Sequence, residues 1–132
     1  MARISSAEHP RLYRAISDKR WLKLRSAAFR LRKPSERFPS GEPDLSLILF
    51  PNCTKSVCAA GLVNYCGGEF VLETDAVLAV AAPNDWEVDK DGENHASILG
   101  LPLYGSNRQL IEDAAEALAD LVVNTQFRPT TD

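Results

Sequence analysis

The chain has 132 residues, of which 45% are apolar and 25% charged, with a formal net charge of −3. That size and composition fit one globular domain with its own core and exclude a disordered chain as well as a two-domain protein. The net charge conceals a split: residues 1–37 hold eleven Lys/Arg against three acidic residues, a net +8, whereas residues 38–132 hold four against fifteen, a net −11. An asymmetry of this kind marks a surface for an acidic partner or nucleic acid, or a basic segment folded onto its own acidic body or onto a second copy.

The first ten residues contain no apolar stretch of signal-peptide length, and the longest apolar run, residues 76–82, is far below the ~20 residues that cross a bilayer. Neither secretion nor a membrane span is expected. The three cysteines, Cys53, Cys58 and Cys66, are an odd number in one short segment. They point to reduced thiols in a cytoplasmic setting rather than to a disulfide framework.

Pro10 suits the first position of a helix, and Leu12, Tyr13, Ile16 and Trp21 fall near helical spacing, so a short helix is expected there. From Leu22 to Arg32 apolar and basic residues alternate, which reads as a half-buried strand broken near Ala27 and Ala28. Residues 33–44 contain Pro34, Pro39, Gly41 and Pro43 and read as a loop, the best candidate hinge between a basic arm (1–37), separate or part of the same domain, and an acidic body (38–124). Residues 45–50 form an apolar run ended by Pro51, a central strand. Thr54 is a fitting cap for a helix with Val57, Cys58, Gly61, Leu62 and Tyr65 on one face, stopped by Gly67 and Gly68.

Strands are expected at 69–73 and 77–82, and a hairpin pairs 86–90 with 95–101 around Asp91, Gly92, Glu93 and Asn94. Ser106 and Gln109 have capping-box spacing before the stripe Leu110, Ile111, Ala114, Ala115, Leu118, Leu121, Val122, which predicts the last helix. The tail, residues 124–132, is expected to fray. The order α–β–β–α–β–β–β–β–α with short turns implies a single α+β domain, mostly antiparallel, with two or three helices packed on one face.

Three groups of residues bear on function. Arg11, Arg14, Lys19, Arg20, Lys23 and Arg25, with Tyr13 and Trp21 between them, have the composition of a docking surface. The acidic body repels polyanions and no nucleic-acid motif occurs, so a protein partner or a homo-oligomer is favoured over nucleic acid. The second group is His95 with Cys53 or Cys58 and Asp91, the residue types of a small Cys/His hydrolase or transferase, with Cys53 just ahead of a helix start that favours thiolate. The third is Cys53, Cys58, Cys66 and His95, the ligand types of structural zinc, but without a CxxC pair. Core thiols are the better reading of these cysteines, and no cofactor is expected.

Residues 26–32 (SAAFRLR), 45–46 (LS) and 94–102 (NHASILGLP) together resemble a pattern found in a group of small bacterial proteins without an assigned activity. The resemblance implies a self-contained bacterial domain and carries no functional residue with it. The residues themselves favour a non-catalytic binding module, an accessory or regulatory subunit whose basic segment docks a partner.

Overall fold

A computed structural model of the chain describes residues 2–16, 18–31, 33–34, 36, 38–39, 41, 43–49 and 68–127. Their centre is one sheet of seven strands: β1 (Ala2–Arg3), β2 (Arg11–Ala15), β3 (Leu45–Ile48), β4 (Gly68–Glu73), β5 (Glu87–Gly92), β6 (His95–Leu99) and β7 (Val122–Phe127). The spatial order is β1-β5-β6-β3-β2-β4-β7, and each neighbouring pair is antiparallel. Two α-helices, α1 (Thr74–Ala81) and α2 (Arg108–Ala119), and three 3-10 turns complete the described fold. It is the single α+β domain that the sequence implies.

The register divides the strand residues between two faces. Leu12, Leu45, Leu47, Phe70, Leu72, Val88, Ala96 and Ile98 share the first face and belong to the main apolar core. Val77 and Ala81 of α1, Ala114, Ala115 and Leu118 of α2, and Ala28 and Phe29 of a 3-10 turn close over them. The second face carries Tyr13, Ser46, Ile48, Glu69, Val71, Asp89, His95 and Ser97.

Four sequence expectations are corrected. Residues 11–15 form β2 rather than a helix, and β2 is an interior strand between β3 and β4. Leu12 and Ile16 are four apart, a spacing that shares a face in a helix and in a strand alike, and the inward Arg14 hides the alternation. Two strands of the basic segment, β1 and β2, thus belong to the sheet.

Residues 22–31 form no strand. Two 3-10 turns, Lys19–Leu22 and Arg25–Phe29, cross the sheet instead, burying Trp21, Ser26, Ala28 and Phe29 and leaving Lys23, Leu24 and Arg25 exposed. Of the expected strand at 77–82, residues 77–81 belong to α1 and Ala82 begins a 3-10 turn. Alanine at 76, 79 and 81 favours helix, and Val77 and Ala81, one turn apart, are the buried pair. The Thr74 hydroxyl is buried and donates to the His9 carbonyl, while the Thr74 amide donates to that of Pro10, tying α1 to β2.

The tail is ordered further than composition suggests. β-Branched Val122 and Thr125, with Asn124, Gln126 and Phe127, pair with β4, and among the described residues β7 is one edge of the sheet.

The hairpin and the last helix follow the expectation closely. Gly92 pairs with His95, so only Glu93 and Asn94 span the turn, and the register shifts between Lys90 and Gly92. At the start of α2 the cap is Asn107 rather than Ser106, its Oδ1 accepting from the amides of Gln109 (2.9 Å) and Leu110 (3.1 Å). The helix expected from Thr54 lies outside the described residues.

Candidate functional site

The six basic residues singled out in the sequence do not form one patch. Arg14 is buried on the first face: its Nε donates to the Ala28 carbonyl at 2.8 Å, its Nη1 to the Ser46 carbonyl at 2.9 Å, and the guanidinium lies 5.1 Å from the Trp21 ring centroid. It joins β2 to β3 and to the 3-10 turn above them, and as a docking residue it is corrected. Arg11 is exposed but begins β2, whereas the other four follow its end.

Lys19, Arg20, Lys23 and Arg25 remain, all exposed on two successive 3-10 turns. The Asp18 carboxylate accepts from the Arg20 amide and grips its guanidinium at 2.6 Å. That hydrogen bond, with the adjacent charge, holds the Arg20 group above its ordinary value, so it stays charged and is engaged with Asp18. Lys19 and Lys23 have no ion-pair partner among the described residues.

Part of the basic charge does fold onto the acidic body. Arg30 Nη2 donates to Glu112 Oε2 at 2.9 Å and its Nε lies 2.8 Å from Oε1, fastening the second 3-10 turn to α2. Arg3 lies 3.9 Å from Glu87, both largely exposed.

Arg25 also lines an open groove of about 410 Å³, together with Leu22, Phe70, Val123, Asn124 and Thr125. Its two sides come from opposite ends of the chain, the 3-10 turns and the edge strand β7. The Phe70 ring lies between them, with the Arg25 guanidinium 5.8 Å from its centroid and Phe29 6.2 Å away on the core side. Leu24 stands out beside it, 53% exposed, as does Val123 at 57%.

The second constellation lies at the hairpin. The register shift at Asp91 re-aims its carboxylate along the sheet, as bulges do. Asp91 Oδ1 is 2.5 Å from His95 Nδ1, and Oδ2 accepts from the buried Ser97 hydroxyl at 2.6 Å. A carboxylate has only acceptors to offer, so Nδ1 carries the proton, which leaves Nε2 as the basic nitrogen of the neutral ring.

The expected Asp91–His95 pairing is thus present, and Ser97, which the sequence reading passed over, completes it. Two residues beyond His95 in a strand is the same face, and that spacing is the signal that could have found it. The order of the three matters. A nucleophilic triad places histidine between hydroxyl and acid, whereas here the acid lies between and Ser97 gives its proton to Asp91.

Burial acts to raise the Asp91 carboxyl, but the Ser97 and His95 hydrogen bonds and the His95 ring charge outweigh it, so the group titrates below the ordinary carboxylate value. A lowered folded-state value adds stability above the unfolded value of about 3.9, and that stability disappears as pH falls through the lowered one. Urea midpoints recorded from pH 5 to pH 2 are expected to fall less steeply in Asp91→Asn than in the parent. Parallel curves would show that the network contributes nothing to acid sensitivity.

Cys53, Cys58 and Cys66 lie outside the described residues. Among those described, no three His, Asp or Glu side chains cluster as metal ligands, and no helix is long and apolar enough to cross a membrane. Comparison of the chain with protein-family models, with curated proteins and with solved structures returns no match.

Proposed function

We propose that the protein is a non-catalytic binding module, an accessory or regulatory subunit of the cytoplasm, that docks an acidic protein partner through Lys19, Lys23 and Arg25. One observation supports this reading: these three cations are exposed on successive turns and have no ion-pair partner among the described residues, Asp18 being engaged with Arg20, on a protein whose remaining charge is acidic. Folding ordinarily scatters surface charge of both signs; a local excess of one sign raises the encounter rate with an oppositely charged partner and rejects like-charged ones. The adjoining Leu24 and Val123 supply apolar area of the kind that turns encounter into affinity.

The test is capture on immobilised protein at low salt, comparing the parent with the triple variant Lys19→Glu, Lys23→Glu, Arg25→Glu. All three positions are exposed, so the variant should fold. A protein held by the parent and released by rising salt should bind the variant roughly 100-fold more weakly, because like charges now face each other. Equal capture by both would overturn the reading, and a captured nucleic acid would replace the partner class.

A second reading is supported by the Asp91–His95 hydrogen bond. An acid that fixes the tautomer of His95 and leaves Nε2 basic is the arrangement a general base needs, in a small Cys/His hydrolase or transferase using Cys53 or Cys58. A thiol that alkylates quickly at neutral pH and slows in His95→Ala would move the assignment to this reading.

A further inference from the structure

The two edges of the sheet are built differently. β1 is two residues long and bears Arg3, a short charged edge of the kind that discourages further pairing. β7 is six residues long, reads VVNTQF, and has neither a charge nor a proline. Among the described residues it pairs with β4 alone. The register irregularity opposite Val71 and Leu72 falls near its start, and residues 124–127 continue in regular register. Val123 and Asn124 are exposed. Such an edge presents unpaired amides and carbonyls as a template for another strand.

We infer that β7 accepts an extended, acidic segment of a partner protein as an eighth strand, with the groove beside it receiving the segment's side chains. The inference rests on the basic-surface reading above and adds to it the mode of binding and the conformation of the partner. A strand added beside β7 runs about 4.8 Å from it. Its side chains on the first face then come alongside Leu22 and Arg25, which form the other side of the groove.

Alternation in the added strand matches this surface. Its acidic residues then share the first face with Arg25, and its apolar residues fall on the second face. A second copy of the chain fits less well, since pairing β7 with β7 about a two-fold axis brings the two Arg25 side chains to the same side of the joined sheet, cation near cation. The main-chain bonds give affinity and the cations give selection.

The probe is an eight-residue peptide alternating glutamate and valine, capped at both ends and labelled for fluorescence anisotropy. Three relatives of it are N-methylated, one at every valine, one at every glutamate and one throughout. All four carry the same charge, but methylation of alternate residues blocks one strand edge, and full methylation blocks both.

The unmethylated peptide and one of the half-methylated peptides are expected to bind alike, with slowed hydrogen exchange in β7. The fully methylated one should bind at least about 30-fold more weakly, the loss of several main-chain hydrogen bonds. Equal binding of all four overturns strand addition. If the triple charge variant then weakens all four together, the basic surface survives as a docking site without it.

If instead the triple variant binds the unmethylated peptide as well as the parent does, strand addition stands and the role of the cations falls. Sedimentation of the free protein as a dimer that the unmethylated peptide dissociates would assign the edge to a second copy and overturn the acidic segment as its occupant.

Discussion

Phe70→Ala should lower the free energy of unfolding by about 4 kcal/mol, a large part of the 5–15 kcal/mol typical of a domain. Phe70 is 1% exposed in β4, at the centre of the first face, with Leu72 and Leu12 on the same face and the Phe29 ring 6.2 Å away. Removing the ring loses its transfer energy and leaves a cavity between sheet and 3-10 turn that neither element can close, since Arg14 and Arg30 pin that turn to β2 and α2. The urea midpoint should fall while the slope stays constant, the pattern of lost packing rather than a changed unfolded state. Leu24→Ala, at an exposed position next to Arg25 of the groove wall, should stay within about 0.5 kcal/mol of the parent. Because Phe70 also lies between the walls of the groove, the folded fraction of Phe70→Ala should lose affinity for the acidic strand peptide. Leu24→Ala should leave the strand edge intact.

How far the sequence discloses this architecture depends on whether its local pattern and its packing agree. Where they agree, the elements are legible: the apolar run that becomes β3, the paired strands of the β5–β6 hairpin, and the striped, capped α2. Where an inward residue is polar, the period is disguised. Leu12, Arg14 and Ile16 all point to the core, but a buried arginine reads as a solvent-facing one, and the four-residue spacing of the two apolar residues fits either period. Residues 77–82 mislead for the opposite reason. Almost every position is apolar, so no period is visible and only the alanine content argues for α1.

The candidate sites divide along the same line. Asp91 and His95 are four residues apart across a turn, so their pairing is local and legible, and Ser97 follows from strand alternation. The groove is not legible. Leu22 and Arg25 meet Val123, Asn124 and Thr125 across about a hundred residues of chain, through a pairing order that places β4 between β2 and β7. Nothing local in either segment announces the other. That β7 pairs with β4 alone among the described residues is likewise a property of the whole pairing order and of nothing local.

Arg14→Ala should cost about 3 kcal/mol, nearly as much as the loss of the Phe70 ring, although the residue reads in the sequence as one of a row of surface cations. Its guanidinium satisfies the Ala28 carbonyl and the Ser46 carbonyl and stacks near Trp21. Alanine would take a charged donor from both carbonyls and open a gap under the 3-10 turn. Arg14→Lys separates this structural role from a docking role. An ammonium keeps the charge but has no planar fork to bridge two carbonyls, so most of the stability loss, about 2 kcal/mol, should remain. If Arg14 were a docking charge, the lysine variant would be as stable as the parent and Arg14→Ala would weaken partner binding. The opposite is expected: urea midpoints fall in both variants, while the folded protein binds the acidic peptide as before. Arg11→Ala, three residues earlier and exposed, should leave stability within about 0.5 kcal/mol. Two arginines on one strand would then differ several-fold in what they contribute, and the cause is the face each occupies: Arg11 lies on the second face, and Arg14 alone on the face that the 3-10 turns cover.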